Sequence, residues 1–176
     1  MGNGLKKPMI IAVMLIFSLI IIFTSIVLYK SRNNILARET LDNINRNLIS
    51  DGVQLNLKEE ELTKLLGDGE YMEGFGGHMR KYASRSLNIG ISGDQDNDFY
   101  GHVSQVDFSN PEFSIYGIKV GDPIEQSSSY IISKGYHQIA ENIFRNGEYV
   151  IQLYGHDNIQ SIKIWFDDKD LRGRSY

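Results

Sequence analysis

Hydrophobic and polar positions follow three regimes along this chain. From Pro8 to Tyr29 the sequence PMIIAVMLIFSLIIIFTSIVLY carries no charge, and only Ser18, Thr24 and Ser25 interrupt it as polar residues. A helix crossing a bilayer core of roughly 30 Å needs about 20 apolar residues, and this run supplies 22. A cleaved secretory signal has an apolar core of about 7–15 residues followed by small residues. Here the run ends in Leu28-Tyr29-Lys30 with no A-x-A pattern. The pattern predicts a transmembrane helix over residues 8–29, behind a short basic N-terminus over residues 1–7.

In the second regime the apolar residues fall at helical spacing. Leu41, Ile44 and Leu48 recur three to four apart, with Ala37 extending the stripe backwards, which predicts a juxtamembrane helical stalk over residues 30–50. Such a stripe suits a plain spacer or a pairing surface for a second copy, but it spans under two heptads and a coiled coil needs more.

In the third regime, from Asp51 onward, short helical and alternating patterns take turns. Val53, Leu55 and Leu57 alternate as an extended segment. Leu62, Leu65 and Leu66 then give a short helix an apolar side. Glu59, Glu60 and Glu61 fill its first turn, where the helix dipole favours acids, and Gly67 suits its C-terminal cap. Five glycines between Gly67 and Gly77 predict a loop. Leu87, Ile89 and Ile91 alternate with Asn88, Gly90 and Ser92, the mark of a strand with one covered face. Val103–Phe108 predicts a further strand, ended by Ser109-Asn110-Pro111.

The order then recurs. Ile118–Gly121 leads into a second helix, with Asp122 as N-cap and Pro123 at its first position. Ile124, Tyr130 and Ile131 form its apolar side and Gly135 ends it. Tyr136–Phe144 reads as one strand. Asn146-Gly147 is a strong hairpin signal. Tyr149, Ile151 and Leu153 alternate on the next strand, His156-Asp157-Asn158 turns the chain, and Ile162, Ile164 and Phe166 close the pattern. The predicted fold class is therefore α+β. A transmembrane helix and stalk precede two tandem helix-plus-antiparallel-sheet repeats, over residues 51–112 and 113–168, with a loose charged tail over residues 169–176. Neither repeat is long enough to bury much apolar surface alone, so the two should share or join a sheet.

The run Leu55-Asn-Leu-Lys-Glu-Glu-Glu-Leu-Thr-Lys-Leu-Leu-Gly67 resembles the opening of the module shared by β-lactamase-inhibitor-protein-like domains and the SmpA/OmlA (BamE-like) lipoproteins. Ile118–Gly135 resembles a second, diverged opening, so the resemblance spans roughly Val53–Asp168. It implies an extracytoplasmic domain that binds other proteins and does not catalyse. The chain departs from both relatives, having a membrane helix in place of the lipobox cysteine and no cysteine for disulfides.

Charge narrows the choice of partners. Residues 1–50 hold six Lys/Arg and two acids, net +4, while residues 51–176 hold twelve Lys/Arg and twenty acids, net −8. An acidic domain without a basic stripe excludes nucleic acid as the expected partner. Lysines and arginines after the helix (Lys30, Arg32, Arg38, Arg46) outnumber Lys6 and Lys7 before it, which by the positive-inside rule points the domain inward. A basic N-terminus before a long apolar run is, however, the form of an uncleaved signal-anchor, and long domains translocate largely regardless of charge. The domain is expected on the extracytoplasmic side of the cell membrane.

Candidate chemistry is sparse. Asp94, Asp96 and Asp98 put three carboxylates on one loop, but Phe99 and Gln105 stand where an EF-hand needs Gly and Glu. They remain a metal candidate only as a non-EF calcium loop. The glycine-rich stretch before Gly77 follows a helix, is acidic and lacks the Lys-Ser/Thr of a phosphate loop. The four histidines show no metal-ligand spacing, no nucleophile elbow occurs, and no cofactor is expected. If Ile162, Ile164 and Phe166 face the core, Lys163 and Trp165 point the other way, as do Gln152 and Tyr154 on the neighbouring strand. Trp and Tyr are favoured anchors at protein interfaces, although a large aromatic also tends to be buried. The sequence thus points to a membrane-anchored, non-enzymatic interaction module. Its partners would be the lipid bilayer and another envelope protein, which it scaffolds or inhibits. A pilin-like subunit or a calcium- or ligand-sensing domain is the alternative.

Overall fold

Helix α1 (Lys7–Asn47) opens the chain in the computed structural model, which describes residues 7–74 and 76–168. The predicted tail over residues 169–176 and most of the basic N-terminus lie outside the described residues. The chain divides into two compact units, Met1–Glu39 and Thr40–Tyr176. In the first unit the helix is long and apolar enough to cross a membrane, a property that an anchor and a signal sequence share. Its few polar side chains spend their hydroxyls internally: Ser18, Thr24 and Ser25 donate to the carbonyls of Leu15, Ile20 and Ile21 at 2.8, 2.7 and 2.8 Å. That suits a bilayer, where every polar group has to be satisfied within the protein.

The second unit is α+β. Its strands are β1 (Leu48–Ile49), β2 (Glu70–Gly74), β3 (Gly77–Tyr82), β4 (Leu87–Ser92), β5 (Val103–Phe108), β6 (Ser114–Ile115), β7 (Ile118–Lys119), β8 (His137–Ala140), β9 (Ile143–Asn146), β10 (Tyr149–Gly155) and β11 (Ile159–Phe166). Its helices are α2 (Glu59–Leu66) and α3 (Ile124–Ser133), besides the last turns of α1. Eight strands form one antiparallel sheet in the order β2-β3-β4-β5-β11-β10-β9-β8, and β1, β6 and β7 form a small second sheet. Each half of the unit contributes one helix and then four consecutive strands to the large sheet. The halves join where β5 pairs with β11, Val106 opposite Ile164 and Phe108 opposite Ile162.

One face of the large sheet carries the core. Leu87, Ile89, Val106, Phe108, Ile151, Leu153, Ile162 and Ile164 cluster there with Leu62 of α2 and with Ile124 and Ile131 of α3. Ile44 and Leu48 belong to the same cluster, and Leu41 packs against it. The apolar stripe at the end of α1 is therefore spent on this domain's own core, not on a second copy. The chain beyond it is pinned by Asn45, whose amide donates to the Leu55 carbonyl at 3.0 Å and accepts from the Leu55 N–H at 2.9 Å. This side chain supplies what a neighbouring strand would, so Val53 and Leu55 are buried as the alternation implies while the segment forms no strand.

Three other elements differ from expectation. The glycine-rich stretch is not a loop throughout: Glu70–Gly74 pairs with Gly77–Tyr82 as a hairpin. The segment read as one strand over Tyr136–Phe144 is two, β8 and β9, turned at Asn142 with φ of 55°. Helix α3 starts at Ile124 with Pro123 as its cap, while the Asp122 carboxylate accepts from the Lys119 N–H at 2.8 Å. Its buried side is Ile124, Ser127 and Ile131, and Tyr130 faces solvent.

Candidate functional site

Strand alternation decides what the second face of the large sheet displays. Gln152 of β10 lies directly opposite Lys163 of β11, and Lys163 lies opposite Asp107 of β5. Asp107 in turn faces Asn88 of β4. In the next row Arg145, Val150, Trp165, Gln105 and Gly90 follow one another across β9, β10, β11, β5 and β4. On the other side of the charged row, Tyr154, two residues beyond Gln152 on β10, stands opposite Ser161. None of these residues belongs to the core cluster, so this face is the one that α2, α3 and the end of α1 leave open. Gln152, Tyr154, Lys163 and Trp165, each named from the alternation alone, come together on it. The alternation of β5 also implied Gln105 and Asp107, but only the β5·β11 junction, which local sequence does not specify, carries them to the centre of the same surface.

The face is organised, not merely polar. Trp165 is half-buried, and its neighbour Val150 is fully buried although it sits outside the core cluster. Lys163 Nζ sits 5.1 Å from the centre of the Trp165 ring, within range of a cation–π attraction. At its edge, Arg145 reaches across to Asp167 at 2.5 Å. Gly90 lets Gln105 pack down on the strand beside it: a Cβ there would lie 2.9 Å from the Gln105 Cβ.

Electrostatics single out Asp107. Burial raises its carboxyl above the ordinary aspartate value, against the opposing pull of Lys163 and a hydrogen bond with Asn88. Burial, with the Asp107 carboxylate adding to it, also raises the Tyr154 hydroxyl. A carboxylate already partly stripped of water has less solvation to lose when a partner covers it.

A second polar cluster lies on the core side, at the far edge of the sheet. Glu59 at the start of α2 accepts from Arg80 Nε at 2.8 Å, and its carboxylate lies 2.7 Å from His78 Nε2. Arg80 also donates to the Asp68 carbonyl at 2.8 Å, and Tyr71 stacks on His78 with centroids 4.9 Å apart. This cluster docks α2 on β3. It explains why β3 was invisible in the sequence: His78 and Arg80 occupy the positions where a core strand would show apolar residues.

The metal candidates do not converge. Asp94 accepts from the Asp96 N–H at 3.0 Å, and the Asp98 N–H points to Asp168 at 3.3 Å. Among the described residues no group of three or more His, Cys, Asp or Glu is placed to hold a metal ion. In this loop Asp94 ties its own backbone through the Asp96 N–H, as aspartates in turns commonly do.

No family model matches this chain, and no curated protein matches it. Among solved structures it is similar to an extracellular protein containing a SCP domain from Bacillus anthracis str. Ames, at 12% identity with a TM-score of 0.47. The match covers 68% of this chain and 46% of that one, so the chain spans about half of that protein's length.

Proposed function

We propose that this chain is a membrane-anchored, non-catalytic interaction domain that holds a protein partner on the open face of its eight-stranded sheet. The observation that carries the reading is the composition of that face. Two aromatic residues, Trp165 and Tyr154, flank the row of Gln152, Lys163, Asp107 and Asn88 on either side, with Gln105 beside Trp165, and among the described residues no helix packs over them. Aromatic anchors ringed by polar groups are what interfaces select. The helix over residues 8–29 serves as a signal-anchor that leaves the domain outside the cell membrane, and the partner is a protein of the same envelope.

In this reading the halves around α2 and α3 are two copies of one helix-plus-four-strand module. That order agrees with the resemblance of Leu55–Gly67 to the β-lactamase-inhibitor-protein-like and SmpA/OmlA modules. Shared order supports duplication because each half runs helix then four strands, and the last strands of the two halves pair.

The test is position-specific photo-crosslinking in intact cells. A photoreactive residue at Gln152, on the open face, should give a discrete adduct, while one at Ser129, on the solvent side of α3, should give none. Equal labelling from both positions, or no adduct from Gln152, would contradict the proposal.

A further inference from the structure

The row of charges at the centre of the open face has a symmetry that bears on the partner's identity. Lys163 on β11 and Asp107 on β5 lie directly opposite each other on the two middle strands of an eight-stranded sheet, with four strands on either side of the β5·β11 junction. A second sheet laid face to face on the first, related by a two-fold axis along the strands between β5 and β11, exchanges left and right without changing height. Lys163 of each copy then lies over Asp107 of the other. Gln152 lies over Asn88, whose amides can pair, and Trp165 lies over Gln105. Face-to-face sheets keep their strands within about 30° of one another, which is the alignment this operation requires. From the geometry we infer that the protein partner of this face is a second copy of the same chain, docked through reciprocal Lys163–Asp107 pairs.

This rests on the reading of the open face as an interaction surface and names its occupant. Three further observations favour a second copy. An isologous contact demands a patch that complements itself, and one positive and one negative centre straddling the axis meet that demand. Area is adequate: eight strands at about 4.8 Å spacing and roughly 20 Å length give on the order of 700 Å² of planar surface, near the 800 Å² per partner of a standard interface. Within one chain, Lys163 Nζ lies over the Trp165 ring, so it can swing to a carboxylate arriving from above.

The experiment co-expresses two differently tagged full-length chains, solubilises the membranes in mild detergent and measures how much of one tag co-purifies with the other. Wild-type chains should co-purify. Lys163→Asp alone places only acids at the centre of both copies, and Asp107→Lys alone places only lysines. Each should reduce recovery by about tenfold or more, as expected where like charges meet at an interface. Lys163→Asp mixed with Asp107→Lys should restore recovery, because an acidic face then meets a basic one. A misfolded variant could not be rescued by a partner carrying the opposite charge. Co-purification that ignores all four charge combinations would belong to the membrane helix and would overturn the inference, as would absence of wild-type co-purification. A Gln152 adduct to a different protein, without self-association, would overturn the second copy as occupant and leave the interaction reading standing.

Discussion

Asp107 costs the fold something by being where it is. Its carboxyl is raised by burial, so the folded state holds its proton more tightly than the unfolded chain does. Between the unfolded and folded values the folded state binds more protons, and stability falls as pH rises through that window. Asp107→Asn is therefore expected to raise the urea midpoint at pH 7, with the gain vanishing below roughly pH 4, where both forms are protonated. A lower midpoint at pH 7 would show that Lys163 and Asn88 outweigh the burial. A residue kept at a cost to stability fits a surface selected for binding. Glu59 behaves in the opposite sense. Burial pushes it up, but hydrogen bonds from His78 and Arg80, with their charges, leave it below the ordinary value of 4.5. Its stabilisation is present above the unfolded value and is lost as pH falls through the folded one. Glu59→Gln should cost about 1 kcal/mol at pH 7, the scale of a partly exposed charged hydrogen bond. The difference from the wild-type chain should begin to narrow in thermal melts as pH falls below the ordinary glutamate value of 4.5, and close only below the lowered folded value. The residues of the open face were legible at this scale wherever a strand alternated cleanly, as Ile162–Phe166 and Tyr149–Leu153 do.

Elements were legible where local chemistry decides them. Helix α2 was readable because Leu62 is buried on one side and Gly67 ends it at φ of 84°. The Glu61 carboxylate also accepts from the Lys58 N–H at 3.2 Å, half of a capping box. The turn at Asn146-Gly147 joins β9 to β10 as expected. What escaped was whatever depends on distant partners. Strands β2 and β3 carry polar residues towards α2, so no alternation announces them. Val53–Leu57 alternates but finds the Asn45 amide in place of a strand. Asn45→Ala strands two backbone groups of Leu55 and should lower domain stability by about 2 kcal/mol. Denaturant unfolding identical to wild type would mean that the end of α1 lies outside the cooperative unit.

At the scale of the whole molecule, the α+β unit and its apolar N-terminal helix were readable from periodicity, and the strand order was not. Nothing local in Val103–Phe108 or Ile159–Phe166 says that they meet, yet that meeting builds the central row of the open face. Sidedness is testable because the chain has no cysteine. Asn97 is a poor label site, since its side chain caps the Phe99 N–H at 2.7 Å, whereas Gln95 is exposed. A cysteine at Gln95 should react with a membrane-impermeant maleimide on intact cells as fully as after lysis. Reaction only after lysis would turn the domain inward. The most direct test of the binding face is the Gln152 photo-crosslink repeated with Tyr154→Ala and Trp165→Ala together. Both side chains lie outside the core cluster, so the domain should melt within a few degrees of wild type while the adduct disappears. An adduct of undiminished intensity from a folded double variant would contradict the account.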